Sequence, residues 1–524
     1  MSEIKPKHIV AVTGATGFIG KQVVKKLLEK GYFVKILSRK AGQKEAEGTS
    51  VVVCDNTDKK TIENAFDCCK AVIHLAAKVP QIGVQEDYKE SYKQNVLAAI
   101  NVFSEAEKNG VEKFIFISGW HVYGENDWKF PIKETEKINT STVYSKTKAE
   151  AEKLLLEKSA TAKMKLLILR ISNLYGESPS QEGVIIKFIK KSSDGQQIEV
   201  SGNQSRDYLY VGDAADAIIN ALVADTKETI FNIGSGKPLT IIKIAETVRR
   251  IYKKFGMWTP EHKIYLGKGQ ESIKFLDISK AKKMLKFRPQ TSFEDGIEKT
   301  ILWWESQKPR KIKAIIFDLD GTLLDVTERY AQGYIEAAKK MSLQIPEKEK
   351  IIELKKFGLT GFEILKTIYQ DESDEKIKQT DELRIRITNS HELICKDKPY
   401  QAARNTLKKI KESSFKTAVV TLRPKEFNKQ IKDFGLSQFI DLIINESSKE
   451  KTNALIKASK KIGVSTFDCI AIGDSPADII QAKNIGMKTI AAEYALIGKE
   501  RLAKENPNYF AKNLNDIEKI VNIL

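Results

Sequence analysis

The chain has 524 residues, of which 41 % are hydrophobic, apolar material for at least two domains rather than one core. No apolar run approaches the ~18 residues that cross a bilayer, and "MSEIKPKHIVAVTG" runs directly into a strand pattern without a cleavable apolar leader, so a cytoplasmic protein with no membrane partner is expected. The formal charge of +18 rests on lysines interleaved with glutamates, as in "KKLLEK" and "KAEAEKLLLEK"; this reads as a solvated surface, argues against a nucleic-acid partner and favours small anionic substrates. Five cysteines, Cys54, Cys68, Cys69, Cys395 and Cys469, are odd in number and lack CxxC spacing, which argues against a disulfide framework and a zinc site.

Short β-rich runs alternate with longer helical patterns from end to end, as in parallel sheets flanked by helices. A first series runs from "HIVAVTG" through "FVKILSR", "SVVVCD", "AVIHLA" and "KFIFIS" to "KLLILRIS". A second begins at "KAIIFDLD" and continues through "FKTAVVT", "FIDLIIN", "FDCIAIGD" and "KTIAA". The polar segment "ESQKPRK", residues 305–311, is the expected linker. The expected fold class is α/β, with two Rossmann-like doubly wound parallel-sheet domains in tandem, residues 1–306 and 312–524.

In "TGATGFIG", Gly14, Gly17 and Gly20 stand between the strand "HIVAV" and the helix "KQVVKKLLEKG", with Phe18 and Ile19 of the same turn as candidate cofactor contacts. Glycines permit a tight turn and close approach of a pyrophosphate, and the helix N-terminus offers oriented N–H groups to the anion. With "HLAA" at 74–77, Asn95 in "QNVLAAINVFSEAEKNGVEKFIFIS", "YSKTK" at 144–148, "RISNLYG" at 170–176 and "RDYLYVGDAADAI" at 206–218, the first half resembles an extended short-chain dehydrogenase/reductase of the NAD-dependent epimerase/dehydratase group.

That resemblance implies a nucleotide-sugar epimerase or reductase and assigns roles. Tyr144 exchanges a proton with a substrate hydroxyl, while Lys148, four residues on and so on the same helical face, holds the ribose and lowers the Tyr144 pKa. Asp55 contacts adenine, and Ala76 and Ala77 let the cofactor pass. Asn173 and Arg206 approach the diphosphate of a nucleotide sugar, with the substrate lobe mainly after residue 175. Where an acid after the second strand usually selects NAD, this chain has Ser38 and Arg39, which suit a 2′-phosphate and point to NADP over NAD. A homodimer through this half is also expected.

One position departs from the family. In "KFIFISGWHVYG", the catalytic Ser or Thr is replaced by Gly119, which stands 25 positions before Tyr144, the family spacing. Ser118 is the candidate replacement donor, and His121 beside Trp120 reads first as packing. Trp120 and His121 occupy the places of the dehydratase Asp–Glu pair, so elimination chemistry is not expected.

In the second half, "IIFDLDGTLLD" puts Asp318 and Asp320 at a strand end, followed by Thr421 at the end of "FKTAVVT", Lys451 before "TNALIKASKKIG", and Asp474 and Asp478 in "GDSPAD". These are the four motifs of the haloacid dehalogenase superfamily, whose phosphatases residues 312–524 resemble. The resemblance makes Asp318 the nucleophile that forms an aspartyl-phosphate and Asp320 the acid and base. Thr421 and Lys451, with Lys449 as the competing lysine, orient the phosphoryl oxygens. Mg²⁺ is held by Asp318, Asp474 and the Asp320 carbonyl, with Asp478 steadying the metal shell or Lys451. Residues 325–399 have a helical pattern and resemble a cap, which favours a small phosphorylated metabolite as substrate. The expected whole is a bifunctional enzyme; the rival is a catalytically impaired dinucleotide-binding module that regulates an active phosphatase.

Overall fold

Strands that are buried on both faces read as unbroken apolar runs, and "IVAVT" and "KFIFISG" form such strands. Successive side chains alternate between two cores: Val10, Val12 and Ile115 enter one, Ala11, Phe114 and Phe116 the other. The computed structural model describes residues 8–40, 46–80, 84–124, 130–177, 183–202, 204–265, 272–448 and 450–524. The chain divides into two units, Met1–Ile251 with Thr259–Trp304, and Tyr252–Trp258 with Glu305–Leu524. Among the described residues no helix is long and apolar enough to cross a membrane.

The first unit is built on seven strands: β1 (Ile9–Thr13), β2 (Phe33–Ser38), β3 (Thr49–Val53), β4 (Cys69–His74), β5 (Lys113–Gly119), β6 (Lys165–Ile171) and β7 (Ile230–Ile233). Their order is β7-β6-β5-β4-β1-β2-β3, and every neighbouring pair is parallel. The order reverses between β1 and β4, which opens a crevice at their carboxyl ends. The helices α1 (Phe18–Glu29), α2 (Ala98–Lys108), α3 (Val143–Ser159) and α4 (Val211–Val223) pack on this sheet. α1 and α4 cover one face through Val23, Leu27, Ala214 and Ile218. α2 and α3 cover the other through Val102, Phe103 and Leu155. The stretch after residue 175 divides: β7 and α4 complete the layers of the large sheet, while short strands such as Tyr208–Tyr210, paired with Asn173–Tyr175, lie outside it.

The second unit has a six-stranded parallel sheet of β8 (Ala314–Phe317), β11 (Lys416–Thr421), β12 (Leu442–Asn445), β13 (Cys469–Gly473), β14 (Lys488–Ala492) and β15 (Tyr509–Ala511), in the order β12-β11-β8-β13-β14-β15. A small antiparallel ribbon, β9 (Leu324–Asp325) against β10 (Lys398–Pro399), leaves the sheet after β8 and returns to it. Between its strands lie five helices, the first being α5 (Thr327–Lys340). They close on a small core of their own, with Tyr334, Ile351, Leu354, Ile364 and Ile377 buried. This is the helical cap of a doubly wound domain.

Candidate active sites

The crevice of the first unit is shaped by backbone. Gly14, at the end of β1, has φ +70°, and a Cβ there would lie 2.7 Å from the Ala76 amide nitrogen, so both the turn and the strand contact require glycine. A Cβ on Gly20 would lie 2.2 Å from the Gly14 carbonyl oxygen, so glycine there seats α1 on the turn. Gly17 begins α1 with no side-chain cap, leaving that helix end to an anion. Thr13 Oγ1 accepts from the Ala76 amide (3.2 Å) and bonds His74 Nδ1 (3.0 Å), which fixes the strand ends.

A cavity of about 1020 Å³ occupies the crevice. Its wall includes Gly14, Gly17, Phe18 and Ile19, then Arg39 and Asp55 beyond β2 and β3, Ala76 and Ala77 after β4, and Ser118, Tyr144 and Lys148 on β5 and α3. The Thr57 backbone amide, then its hydroxyl and the Arg39 and Lys93 charges, hold Asp55 below its usual range despite partial burial. The cavity's volume, the missing Cβ atoms and the uncapped helix suit a dinucleotide.

Thr142 and Ser145 cap α3 reciprocally, which sets Tyr144 and Lys148 in its first turns. Lys148 Nζ donates to the Ile117 carbonyl (2.7 Å) and lies 4.6 Å from the centre of the Phe116 ring. The expectation that Lys148 lowers the Tyr144 pKa is corrected by burial, which pushes the phenol up to about 12. Burial also pushes Lys148 down to about 8, against the pull of Glu152. Lys148 is committed to a strand carbonyl, and desolvation governs both groups.

Asn95 lies in a π-helical turn and is buried; it accepts from the Lys78 amide (2.7 Å) and donates to Thr147 Oγ1 (3.0 Å), bracing α3 against the loop after β4. Asn173 spends its amide internally, accepting from Trp120 Nε1 (3.2 Å) and donating to the Asp207 carbonyl (3.0 Å). Arg206 donates to the Ser205 carbonyl (3.0 Å). None of the three is part of the described cavity wall. Ser118 reaches that wall, yet its hydroxyl is buried and has no hydrogen-bond partner among the described residues.

In the second unit the reactive groups meet at the carboxyl edge of the sheet. Asp318 follows β8, and its carboxylate accepts from Lys451 Nζ at 2.5 Å; the same ammonium reaches Asp478 at 2.9 Å. Lys451 precedes α6 (Thr452–Lys461), and Asp478 shares a capping box with Ser475 in the first turn of α7 (Pro476–Lys483). One carboxylate oxygen from each of Asp318, Asp474 and Asp478 lies within 4.8 Å of the others. Burial raises Asp318 and Asp474, the neighbouring carboxylates raise both further, and Lys451 opposes both shifts. A cluster of hard oxygens that resists its own ionisation suits a divalent cation. Gly321 has φ +81°, and a Cβ there would lie 2.2 Å from Asp474 Oδ2. Thr421 is buried at the end of β11 and its hydroxyl accepts from the Arg423 amide (3.1 Å). Lys449 lies outside the described residues.

Asp320 is placed differently from its expected role as a free acid. Its carboxylate stands outside the acid cluster, between Arg329 of α5 (2.7 Å) and Arg423 (2.6 Å). Burial alone would raise Asp320, but the two guanidinium charges outweigh it and hold the group below its usual range. Asp397, beside β10, completes the group by pairing with Arg329 Nε (3.0 Å) and with Arg423. Arg329, Asp397 and Arg423 were not identified from sequence; only Arg423, two residues after Thr421, lay close enough to a motif to be noticed.

Known proteins match both units. The NAD dependent epimerase/dehydratase family matches residues 10–234, and the haloacid dehalogenase-like hydrolase family matches residues 315–492. A protein of Methanocaldococcus jannaschii provisionally named a UDP-glucose 4-epimerase is 32 % identical over 316 residues, 57 % of this chain and 99 % of that one. The crystal structure of a UDP-glucose 4-epimerase of Thermotoga maritima with UDP-glucose aligns with a TM-score of 0.51 at 30 % identity, covering 57 % of this chain and 99 % of that chain. A protein of Caldanaerobacter subterraneus provisionally named a pyrophosphatase is 26 % identical over 225 residues, 40 % of this chain and 95 % of that one. Together with the strand order and the glycine turn, these matches show that the chain belongs to the NAD dependent epimerase/dehydratase family through its first half and carries a haloacid dehalogenase-like hydrolase domain in its second.

Proposed function

We propose that the first unit is an NAD(P)-dependent nucleotide-sugar epimerase or reductase and the second a Mg²⁺-dependent phosphatase of a small metabolite, within domain limits 1–306 and 312–524. The observation that carries this reading is that each unit gathers its reactive side chains at the carboxyl edge of a parallel sheet. The nucleotide-sugar class draws support from the similarity to a UDP-glucose 4-epimerase solved with UDP-glucose. Arg39 on the cavity wall supports NADP over NAD. Cytoplasmic location and pairing through the first unit belong to the same reading.

In the first unit, Gly14, Gly17 and the α1 N-terminus would hold the pyrophosphate, and Lys148 the ribose. A bound nicotinamide supplies a reversible two-electron acceptor. Tyr144 takes the proton of the substrate hydroxyl and returns it; a phenol held at about 12 needs Lys148 to turn toward it once ligands fill the cavity. Asn173 and Arg206 serve the diphosphate only after giving up their internal partners.

In the second unit, Asp318 attacks phosphorus and the ester oxygen leaves with a proton from Asp320; water then cleaves the aspartyl-phosphate with Asp320 as base. Thr421 and Lys451 orient the phosphoryl oxygens. Mg²⁺, held by Asp318, Asp474 and the Asp320 carbonyl, would supply charge neutralisation. Two arginines keep Asp320 ionised, so it must first be released from at least one of them and take up a proton from solvent, and Arg329 lies on the first cap helix. Closure of the cap over the ester is a natural occasion for that release.

The test is the full chain assayed with NADP⁺ or NAD⁺ against UDP-sugars, and with Mg²⁺ or chelator against a panel of sugar phosphates. Sugar interconversion and chelator-sensitive phosphate release are expected. The regulatory-module reading draws on Gly119, and dinucleotide binding without turnover of any UDP-sugar would favour it.

A further inference from the structure

The family hydroxyl is missing at Gly119, and the structure shows what faces the gap. A Cβ built on Gly119 would lie 3.3 Å from His121 Nδ1, with the Ile171 carbonyl next at 3.8 Å. The imidazole thus stands beside the space from which a Ser or Thr hydroxyl would reach. His121 lines the cavity with Tyr144, and the two rings meet edge-on at 5.8 Å and 81°.

The turn that carries His121 is anchored on both sides. Trp120 donates its indole N–H to Asn173. Val122 and Tyr123 are fully buried, and the Tyr123 hydroxyl donates to Asn232 Oδ1 (2.7 Å) and accepts from Arg170 (3.0 Å), itself paired with Glu152 at 2.6 Å. Of the four residues of this turn, His121 is the exposed one, and it opens onto the cavity. Ser118, the other candidate, keeps its hydroxyl buried, on the strand position next to Gly119, where side chains alternate in direction.

We propose that His121 is a catalytic residue that replaces the missing hydroxyl, donating an imidazole N–H to the substrate oxygen whose proton Tyr144 exchanges. The inference rests on the redox reading of this cavity. His121 keeps its proton throughout: the substrate alcohol gives its hydroxyl proton to Tyr144, acting as the phenolate that Lys148 stabilises once ligands fill the cavity, and two electrons with the carbon-bound hydrogen to the oxidised nicotinamide, and the imidazole only stabilises charge on the oxygen between them. The cavity wall shifts the imidazole pKa downward from its ordinary value, so at neutral pH it is the uncharged form that acts, with one nitrogen donating and the other accepting.

The experiment uses the full chain with UDP-glucose and UDP-galactose as probes. His121→Ala should lower kcat about 10²-fold to 10³-fold, the range for loss of one oxyanion donor, with NADPH affinity by fluorescence titration within about threefold as the control for folding. Gly119→Ser alone should not raise kcat, because its Cβ meets His121 at 3.3 Å. In the His121→Ala background the same change should restore at least about tenfold, since the hydroxyl then has room. As a readout apart from turnover, the His121 imidazole NMR signals, identified by their loss in His121→Ala, should shift when UDP-glucose is added and stay in place with UDP alone. A wild type that interconverts the sugars while His121→Ala matches it overturns the assignment and leaves the redox reading standing. A wild type that binds NADPH but converts neither sugar overturns both.

Discussion

The two units build their proposed phosphate sites in different ways. In the first, the end of the cavity proposed for pyrophosphate is made of glycine backbone and a helix terminus, and in the empty cavity the surroundings disfavour charge on both Tyr144 and His121. In the second, charge is met by charge: Lys451 holds Asp318 and Asp478, while Arg329 and Arg423 hold Asp320 and Asp397. A backbone cradle costs little to keep empty. A cluster of half-buried carboxylates is tolerable only while cations, protons or a metal offset it. Substitutions should therefore act on turnover or affinity in the first unit, and on turnover, metal response and stability together in the second.

The largest effect expected is Asp318→Asn, which removes the nucleophile while keeping its volume. Phosphate release should fall by more than about 10³-fold, and Lys451 retains Asp478 as a partner. Near-normal release in this variant would break the charge-built account of the second unit. Asp320→Asn should slow both leaving-group protonation and breakdown of the aspartyl-phosphate, so acid-stable phosphoenzyme should accumulate with aryl phosphates, whose leaving groups need little protonation. Its absence in a slow variant would place the defect before phosphoryl transfer.

A smaller effect sharpens the contrast on the other side. Arg39→Ala should weaken NADPH about tenfold and leave NADH nearly unchanged, because only the 2′-phosphate engages the guanidinium. Equal losses for both cofactors would remove the basis for NADP. The smallest is thermal. Asp474 titrates above its ordinary value in the fold, so its ionised form burdens the metal-free protein above the folded pKa, and that burden fades as pH falls through it. In chelator at pH 7.5, Asp474→Asn should melt about 2–4 °C higher than wild type, and the gap should close on acidification. Mg²⁺ should raise the melting point of wild type alone. Melting curves with and without Mg²⁺ would show whether the acid cluster is the metal site.

Much of this was legible in sequence because the signals are local. Glycines with required spacing, apolar strand runs, Tyr144 and Lys148 on one helical face and four motifs at strand ends can each be read within a few residues. What was not legible depends on distant packing. Arg329 and Asp397 meet only because the ribbon of β9 and β10 brings the two ends of the cap together. The upward shift of Tyr144 follows from burial, whereas four-residue spacing suggested only the neighbouring charge. Asn173 was read as a ligand for diphosphate, but its partners come from Trp120 and Asp207, the latter 34 positions away. Gly119 stood out in the sequence, but the proximity of His121 to its missing side chain required the turn between them to be built.

The central claim, two chemistries run by separate side chains of one chain, is tested most directly by a crossed assay. UDP-sugar interconversion and Mg²⁺-dependent phosphate release are measured on wild type, Tyr144→Phe and Asp318→Asn of the full chain. The account predicts that Tyr144→Phe loses interconversion by about 10²-fold to 10⁴-fold with phosphate release unchanged, and that Asp318→Asn shows the reverse. Loss of both activities in either variant, or of neither, would contradict it.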